Sequence, residues 1–155
     1  MMKSPNSVSS SNKIPLIQEE KNYIEFEEQV RYSETDQMGV AHNKNYFEWF
    51  EIGRTYYCHQ KNIPYKNIEK QGYYLVVVEA FCKYKKPLRY DEKFLIRVSL
   101  KEISPKKAVF AYELVTKDEK KLIASGYTVH IVTDSKAKVC SLPPHIIEKL
   151  KAPLF

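Results

Sequence analysis

Residues 31–54 read RYSETDQMGVAHNKNYFEWFEIGR, and a change of character halfway along this stretch decides the fold. Residues 33–44 are polar and contain Gly39, the composition of a loop. Beyond them the apolar residues take helical spacing. Tyr46, Trp49, Phe50 and Tyr57 fall at i, i+3, i+4 and i+11, with the small Gly53 between them. This predicts a helix over residues 46–59, apolar on most of its surface, with Asn45 or a position one or two residues earlier as N-cap. A glycine in mid-helix costs about 1 kcal/mol relative to alanine, so Gly53 is read as marking the close approach of another backbone. Glu51 and Arg54 are spaced to pair along the flank.

The segments on either side read as strands. Residues 23–32 alternate loosely and carry β-formers. Residues 74–86 (YLVVVEAFCKYKK) end at Pro87, and residues 93–103 set Phe94, Ile96, Val98 and Leu100 against Leu95, Arg97 and Ser99. Residues 108–116 alternate in the same way, and residues 122–133 follow a charged turn. Short connections at 88–92, 104–107 and 117–121 predict an antiparallel meander, and a short helix starting at Pro143 or Pro144 closes the chain. A helix apolar on most sides needs more cover than a flat sheet face provides. The expected class is therefore α+β: a curved antiparallel five-stranded sheet wrapped around one long central helix.

The length of 155 residues suits one core, divided into a flexible tail at 1–22 and a single domain at 23–155. The tail is polar and serine-rich without the apolar stretch of a secretory signal, and no run reaches the roughly 18 apolar residues of a membrane span. Cys58, Cys82 and Cys140 form no C-x-x-C pair, which argues against a disulfide framework or a zinc site and fits a reducing compartment, the cytoplasm. The net charge of +6 comes from lysine and suits a phosphorylated small molecule, an anionic surface or simply a solvated exterior. The tyrosines fall in strand and helix patterns rather than in a basic groove, so neither nucleic acid nor membrane insertion is expected.

Asp36 lies in the loop just ahead of the helix start, where unsatisfied backbone N–H groups and the positive end of the helix dipole gather. Those donors can polarise a thioester carbonyl, and an ionised carboxylate can act as general base or nucleophile. An Asx turn selects the same residue type at the same place.

The string TDQMGV followed by HNKNYFEWFEIGR resembles the signature of the 4-hydroxybenzoyl-CoA thioesterase family, including the YbgC-like acyl-CoA thioesterases. The shared features are Thr35-Asp36, Gly39 three residues later, and an aromatic helix carrying Tyr46, Phe50, Glu51 and Arg54; the resemblance spans residues 23–150. It implies a hot-dog fold and hydrolysis of an acyl-CoA to free acid and CoA. It also implies no cofactor, coenzyme A being part of the substrate, and a homo-oligomer, dimer or tetramer, with an acyl pocket between subunits.

By position it implies Asp36 as the catalytic aspartate and Asn43 as the residue whose backbone N–H polarises the thioester. Many YbgC-like members have Tyr-His where this chain has His42-Asn43, so the histidine stands one place early. His42 could touch the thioester or the water, or bond a loop carbonyl.

Gly39 and Tyr46 complete the expected substrate site. Coenzyme A carries phosphates, so its groove wants cations at the mouth. Lys83 and Lys85, with Lys86 and Arg89, form one cluster; Lys106 and Lys107 form another, at a turn where relatives place basic residues. Glu48 and Glu51 are alternative carboxylates on the helix. His59, His130 and His145 read as structural or surface. The rival functions are a non-catalytic acyl-CoA-binding module and a hot-dog hydratase or dehydratase, whose differently placed histidine and carboxylate are not found in this sequence.

Overall fold

The alternating runs pair as strands, but in an order that a meander does not produce. The computed structural model describes Ile17 and residues 22–153, so the expected tail lies outside the described residues except at Ile17 and Asn22. The elements are β1 (Tyr23–Gln29), a 3-10 turn (Tyr32–Glu34), α1 (Lys44–Gln60), α2 (Tyr65–Lys70), β2 (Tyr74–Tyr84), β3 (Lys93–Ser104), β4 (Lys107–Thr116), β5 (Leu122–Thr133) and α3 (Pro144–Lys151). All five strands form one antiparallel sheet in the order β1-β3-β4-β5-β2.

The expected meander is therefore corrected at its first step: β2 pairs with β5 at the far edge, and residues 85–92 close no hairpin with β3. The physical reason lies in the connection itself. Pro87 has no N–H to extend a ladder. The residues after it bond instead to the loop before α1, through Ala41 N–H to the Leu88 carbonyl at 2.7 Å and a bridge between Val40 and Arg89. The connection thus crosses the sheet end beside the helix start.

One face of the sheet carries α1. Phe50 stacks flat on Tyr112 with centroids 4.3 Å apart, Trp49 tilts onto Phe94 at 4.8 Å, and Tyr57 meets Phe110 edge-on at 5.7 Å. Fully burying an aromatic of this size contributes about 1.5–3 kcal/mol, so these three seat the helix. Gly53 lies between them. A Cβ there would stand 2.6 Å from the Val98 Cγ2 and 3.4 Å from the Ile96 Cγ2. The close approach expected at Gly53 is real, but it is made by β3 side chains and not by another backbone.

The single wrapped helix is seen only in part. α1 has 17 residues and is accompanied by α2 of 6 and α3 of 8. Phe47, Ile52 and Tyr56 on its outer flank stay 37–38% exposed. α2 is anchored by Ile68 alone among its buried residues, too little for a periodic signal. The helix cap is Asn43, two residues before Asn45 and within the expected range, and Asn45 itself is buried.

Part of the opposite sheet face, around Arg97 of β3 and Glu113 of β4, is buried as well. Arg97 pairs with Glu25 at 2.6 Å, and Ile17, inside the expected tail, is buried and donates its N–H to Glu113 at 3.1 Å.

Gly53→Ala is expected to lower stability by about 1–3 kcal/mol, because overpacking against Val98 outweighs alanine's better helix propensity. Chemical denaturation measures it, and a raised midpoint would contradict this packing.

Candidate active site

Asp36 occupies the tip of a miniature hairpin. Its N–H bonds the Val40 carbonyl at 2.9 Å, the His42 N–H bonds the Glu34 carbonyl at 2.8 Å, and Thr35 bridges Ala41 between them. The turn closes through Gly39, whose φ of +79° is a left-handed conformation that glycine adopts without a Cβ penalty. The Asp36 side chain completes an Asx turn: Oδ1 accepts the N–H groups of Met38 at 2.8 Å and Val40 at 3.3 Å. Oδ2 carries no hydrogen bond among the described residues, and the residue is exposed. One oxygen holds the loop and the other is left free of it.

The helix start follows directly. His42 Nδ1 accepts the Lys44 N–H at 3.1 Å, so its neutral ring carries the proton on Nε2. Asn43 caps α1 in helical conformation without a side-chain bond. Its carbonyl accepts the Tyr46 N–H at 3.2 Å and the Tyr84 hydroxyl at 3.5 Å, while its own N–H donates to nothing among the described residues.

Asn43 borders a cavity of about 320 Å³, lined by Val40, Ala41, Asn43 and Tyr46 on one side and by Tyr84, Lys85, Lys86 and Pro87 on the other. Tyr46 forms the inner wall, its ring edge-on to Trp49 at 5.0 Å and to Tyr84 at 4.8 Å. Burial pushes its hydroxyl up to about 12, so it stays protonated. Asp36 and His42 lie in the adjoining loop but do not line this cavity.

The lysines expected to act together divide. Lys85 and Lys86 lie on the cavity rim, both N–H groups bonded to the Ile123 carbonyl. Lys83, opposite Ser125 in the ladder, alternates with Tyr84 and so projects from the other sheet face, beside the stacked Phe81 and Tyr127. Lys106 and Lys107 follow the end of β3 remote from Arg89 and Val40, about 35 Å away along an extended strand. Lys107 pairs there with Glu102 at 3.6 Å.

The flank pair expected between Glu51 and Arg54 does not form. Arg54 instead donates to the Tyr112 hydroxyl at 3.3 Å, and a buried relay continues from Tyr112 to Thr128 at 2.6 Å and on to His130 Nε2 at 2.8 Å. His130 Nδ1 lies 3.2 Å from the Leu75 carbonyl. Burial, with the Arg54 charge adding to it, pushes His130 down to about 4. The relay joins residues of α1, β2, β4 and β5, so no spacing in the sequence marks it. Glu48 and Glu51 line a shallow groove on the exposed flank of α1 with Ile52, Tyr56 and His59, apart from Asp36.

Among site residues, Tyr84 and Glu34 carry no mark of a role in the sequence, and Asn45 reads there only as a helix cap. Only the aromatic place of Tyr84 in the YKK run offered a signal.

The His130 shift sets a pH dependence. A neutral imidazole buried with a folded pKa below its ordinary 6.5 contributes stability that is complete above pH 6.5 and is lost as pH falls through about 4. The unfolding midpoint is expected to drop over that window in wild type and to drop less in His130→Gln. Equal slopes in the two proteins would contradict the assignment.

Comparison with known proteins adds the following. Residues 30–150 match the family model described as the thioesterase-like superfamily. An Aquifex aeolicus protein whose name marks it as a candidate esterase is 32% identical over 126 residues, covering 81% of this chain and 96% of its own length. A candidate acyl-CoA thioesterase of Bacillus subtilis, YneP, is 37% identical over 86 residues, 56% of this chain and 62% of that protein. The crystal structure of a DHNA-CoA thioesterase from Staphylococcus aureus aligns at a TM-score of 0.77 and 31% identity, over 82% of this chain and 87% of that one. None of these three is named for 4-hydroxybenzoyl-CoA, so the match is to the broader superfamily. No helix of the described residues is long and apolar enough to cross a membrane.

Proposed function

The chain belongs to the thioesterase-like superfamily and is a thioester hydrolase, and from that premise we propose that it hydrolyses an acyl-CoA with Asp36 as the acting carboxylate. The observation that carries this reading is Asn43, its N–H unpartnered at the start of a 17-residue helix, lining a cavity whose other wall bears Lys85 and Lys86. A thioester carbonyl at that N–H is polarised by the donor and by the helix dipole. Coenzyme A phosphates then reach the two lysines at the rim.

Water beside Asp36 gives its proton to Oδ2 and its oxygen to the carbonyl carbon. The resulting oxyanion accepts the Asn43 N–H. As it collapses, the carbon–sulfur bond breaks and the CoA thiolate takes up the proton, leaving the free acid. The exposure of Asp36, with one oxygen already committed to two N–H groups, favours this water route over attack by the carboxylate itself. His42, beside Asn43 in the chain and with its proton on Nε2, offers a hydrogen bond to the leaving sulfur and keeps its own proton, the one delivered being that held by Asp36. Gly39 serves by shaping the turn and Tyr46 by walling the cavity; Lys83, Lys106 and Lys107 stand outside this binding site.

Assembly belongs to the same proposal. β2 is an edge strand, and its Val76, Val77, Val78 and Phe81 are 42–53% exposed. An apolar edge of this kind calls for pairing, and a second copy of β2 across a two-fold axis supplies it. Light scattering is expected to give at least twice the 18.2 kDa chain mass, and a monomer would contradict the pairing.

Thiol release from a panel of acyl-CoAs tests the activity. Asp36→Asn is expected to lower kcat by about 10²–10⁴-fold; turnover equal to wild type would remove Asp36 from the chemistry. Replacing Lys85 and Lys86 by alanine is expected to raise KM about tenfold, the equivalent of roughly 1.4 kcal/mol, while the same change at Lys106 and Lys107 leaves KM within about twofold. The reverse order would move the nucleotide to the other end of β3.

A further inference from the structure

Beneath the Asp36 loop lies one buried carboxylate that the proposed chemistry does not use. Glu34 is 5% exposed, and both of its oxygens are engaged. Oε1 accepts the Arg31 N–H at 2.7 Å, and Oε2 accepts the Trp49 indole N–H at 3.2 Å and the Arg31 guanidinium at 3.1 Å. Its main-chain carbonyl accepts the His42 N–H at 2.8 Å and the Asn45 amide at 2.7 Å, and the same amide reaches the His42 carbonyl at 3.1 Å.

Three pieces of chain therefore meet on one residue: the arm leading to Asp36, the arm returning from it, and the first turns of α1. The helix side of this junction is rigid. Trp49 is buried against Phe94 and Tyr46, so its indole N–H is a fixed point of the core. A buried carboxylate is costly to desolvate, and an apolar side chain could fill the space without that cost. What the carboxylate adds is direction: it ties the loop to one particular place on the helix.

We propose that Glu34 is a positioning residue for thioester cleavage, fixing the Asp36 carboxylate relative to the Asn43 N–H through Trp49 and Asn45. Asp36 and Asn43 share no hydrogen bond of their own, so their separation is set by the hairpin arms that Glu34 clamps. The inference rests on the reading that these two groups carry the chemistry. Glu34 itself touches neither the cavity nor the reacting atoms.

The test compares wild type, Glu34→Gln, Asp36→Asn and the double variant, using the acyl-CoA that wild type turns over best. Glutamine keeps the shape but offers a donor where an acceptor is needed, toward either Arg31 or Trp49. Glu34→Gln is expected to lower kcat about 10- to 100-fold, with KM within about twofold. In the Asp36→Asn background the same change is expected to cost nothing further, because a positioning residue acts only through the group it positions.

A merely structural role lowers both backgrounds alike, so additive losses would overturn the proposal, as would wild-type kcat in Glu34→Gln. Trp49→Phe keeps an aromatic ring and removes only the indole N–H. It is expected to lower kcat in the same direction and to lose that effect in the Asp36→Asn background. Should Asp36→Asn retain wild-type turnover, the reading of Asp36 falls and this inference with it. A Glu34 variant that behaves like wild type beside an inactive Asp36→Asn overturns the inference alone.

Discussion

The seat of α1 on β3 and β4 is the constraint on which the rest of the molecule depends. Phe50 lies flat on Tyr112, Trp49 leans on Phe94, and Gly53 lets the helix settle against Val98. With those three contacts made, the helix has no freedom to slide or roll. Its N-terminus is thereby placed at one end of the sheet, and the open Asn43 N–H with it. A helix start is useful for polarising a carbonyl only if it is held still, since preorganised donors need no rearrangement as charge develops. The aromatic packing provides that stillness about two turns away from the site.

The second structural fact is the path of residues 85–92. Because β2 pairs with β5, the chain must cross the sheet end to reach β3, and it does so against the hairpin that carries Asp36. That crossing brings Lys85 and Lys86 to the same cavity as Asn43. A true meander would have left these lysines at an ordinary hairpin with no helix start nearby. Topology, more than any local motif, assembles cation and donor in one place.

Much of this was legible from residues alone. β5 runs Leu122–Thr133 as its alternation indicated, and α1 extends only a residue or two beyond its predicted ends at each side. Strong periodicity over ten or more residues made those elements readable. Strand order was not, because 88–92 is short enough for a hairpin and nothing local announces that Leu88 bonds to Ala41 instead.

The site shows the same division. Asp36, Gly39 and Asn43 stand in one short segment, and their type and spacing could be read together. Nothing in the sequence singles out Glu34, since its partner Trp49 lies 15 residues away on a helix. The cluster of Lys83 with Lys85 and Lys86 divides because β2 ends at Tyr84, so only Lys83 follows the strand's geometry. Residues whose role depends on a partner in another element leave no local pattern.

The central claim is that the thioester carbonyl sits at the Asn43 N–H with Asp36 beside it. A crystal structure of Asp36→Asn with an intact acyl-CoA bound tests this most directly. The account predicts the thioester oxygen about 3 Å from the Asn43 nitrogen, with the nucleotide phosphates against Lys85 and Lys86. A thioester lying instead along the exposed flank of α1, beside Glu48 and Glu51, would contradict it.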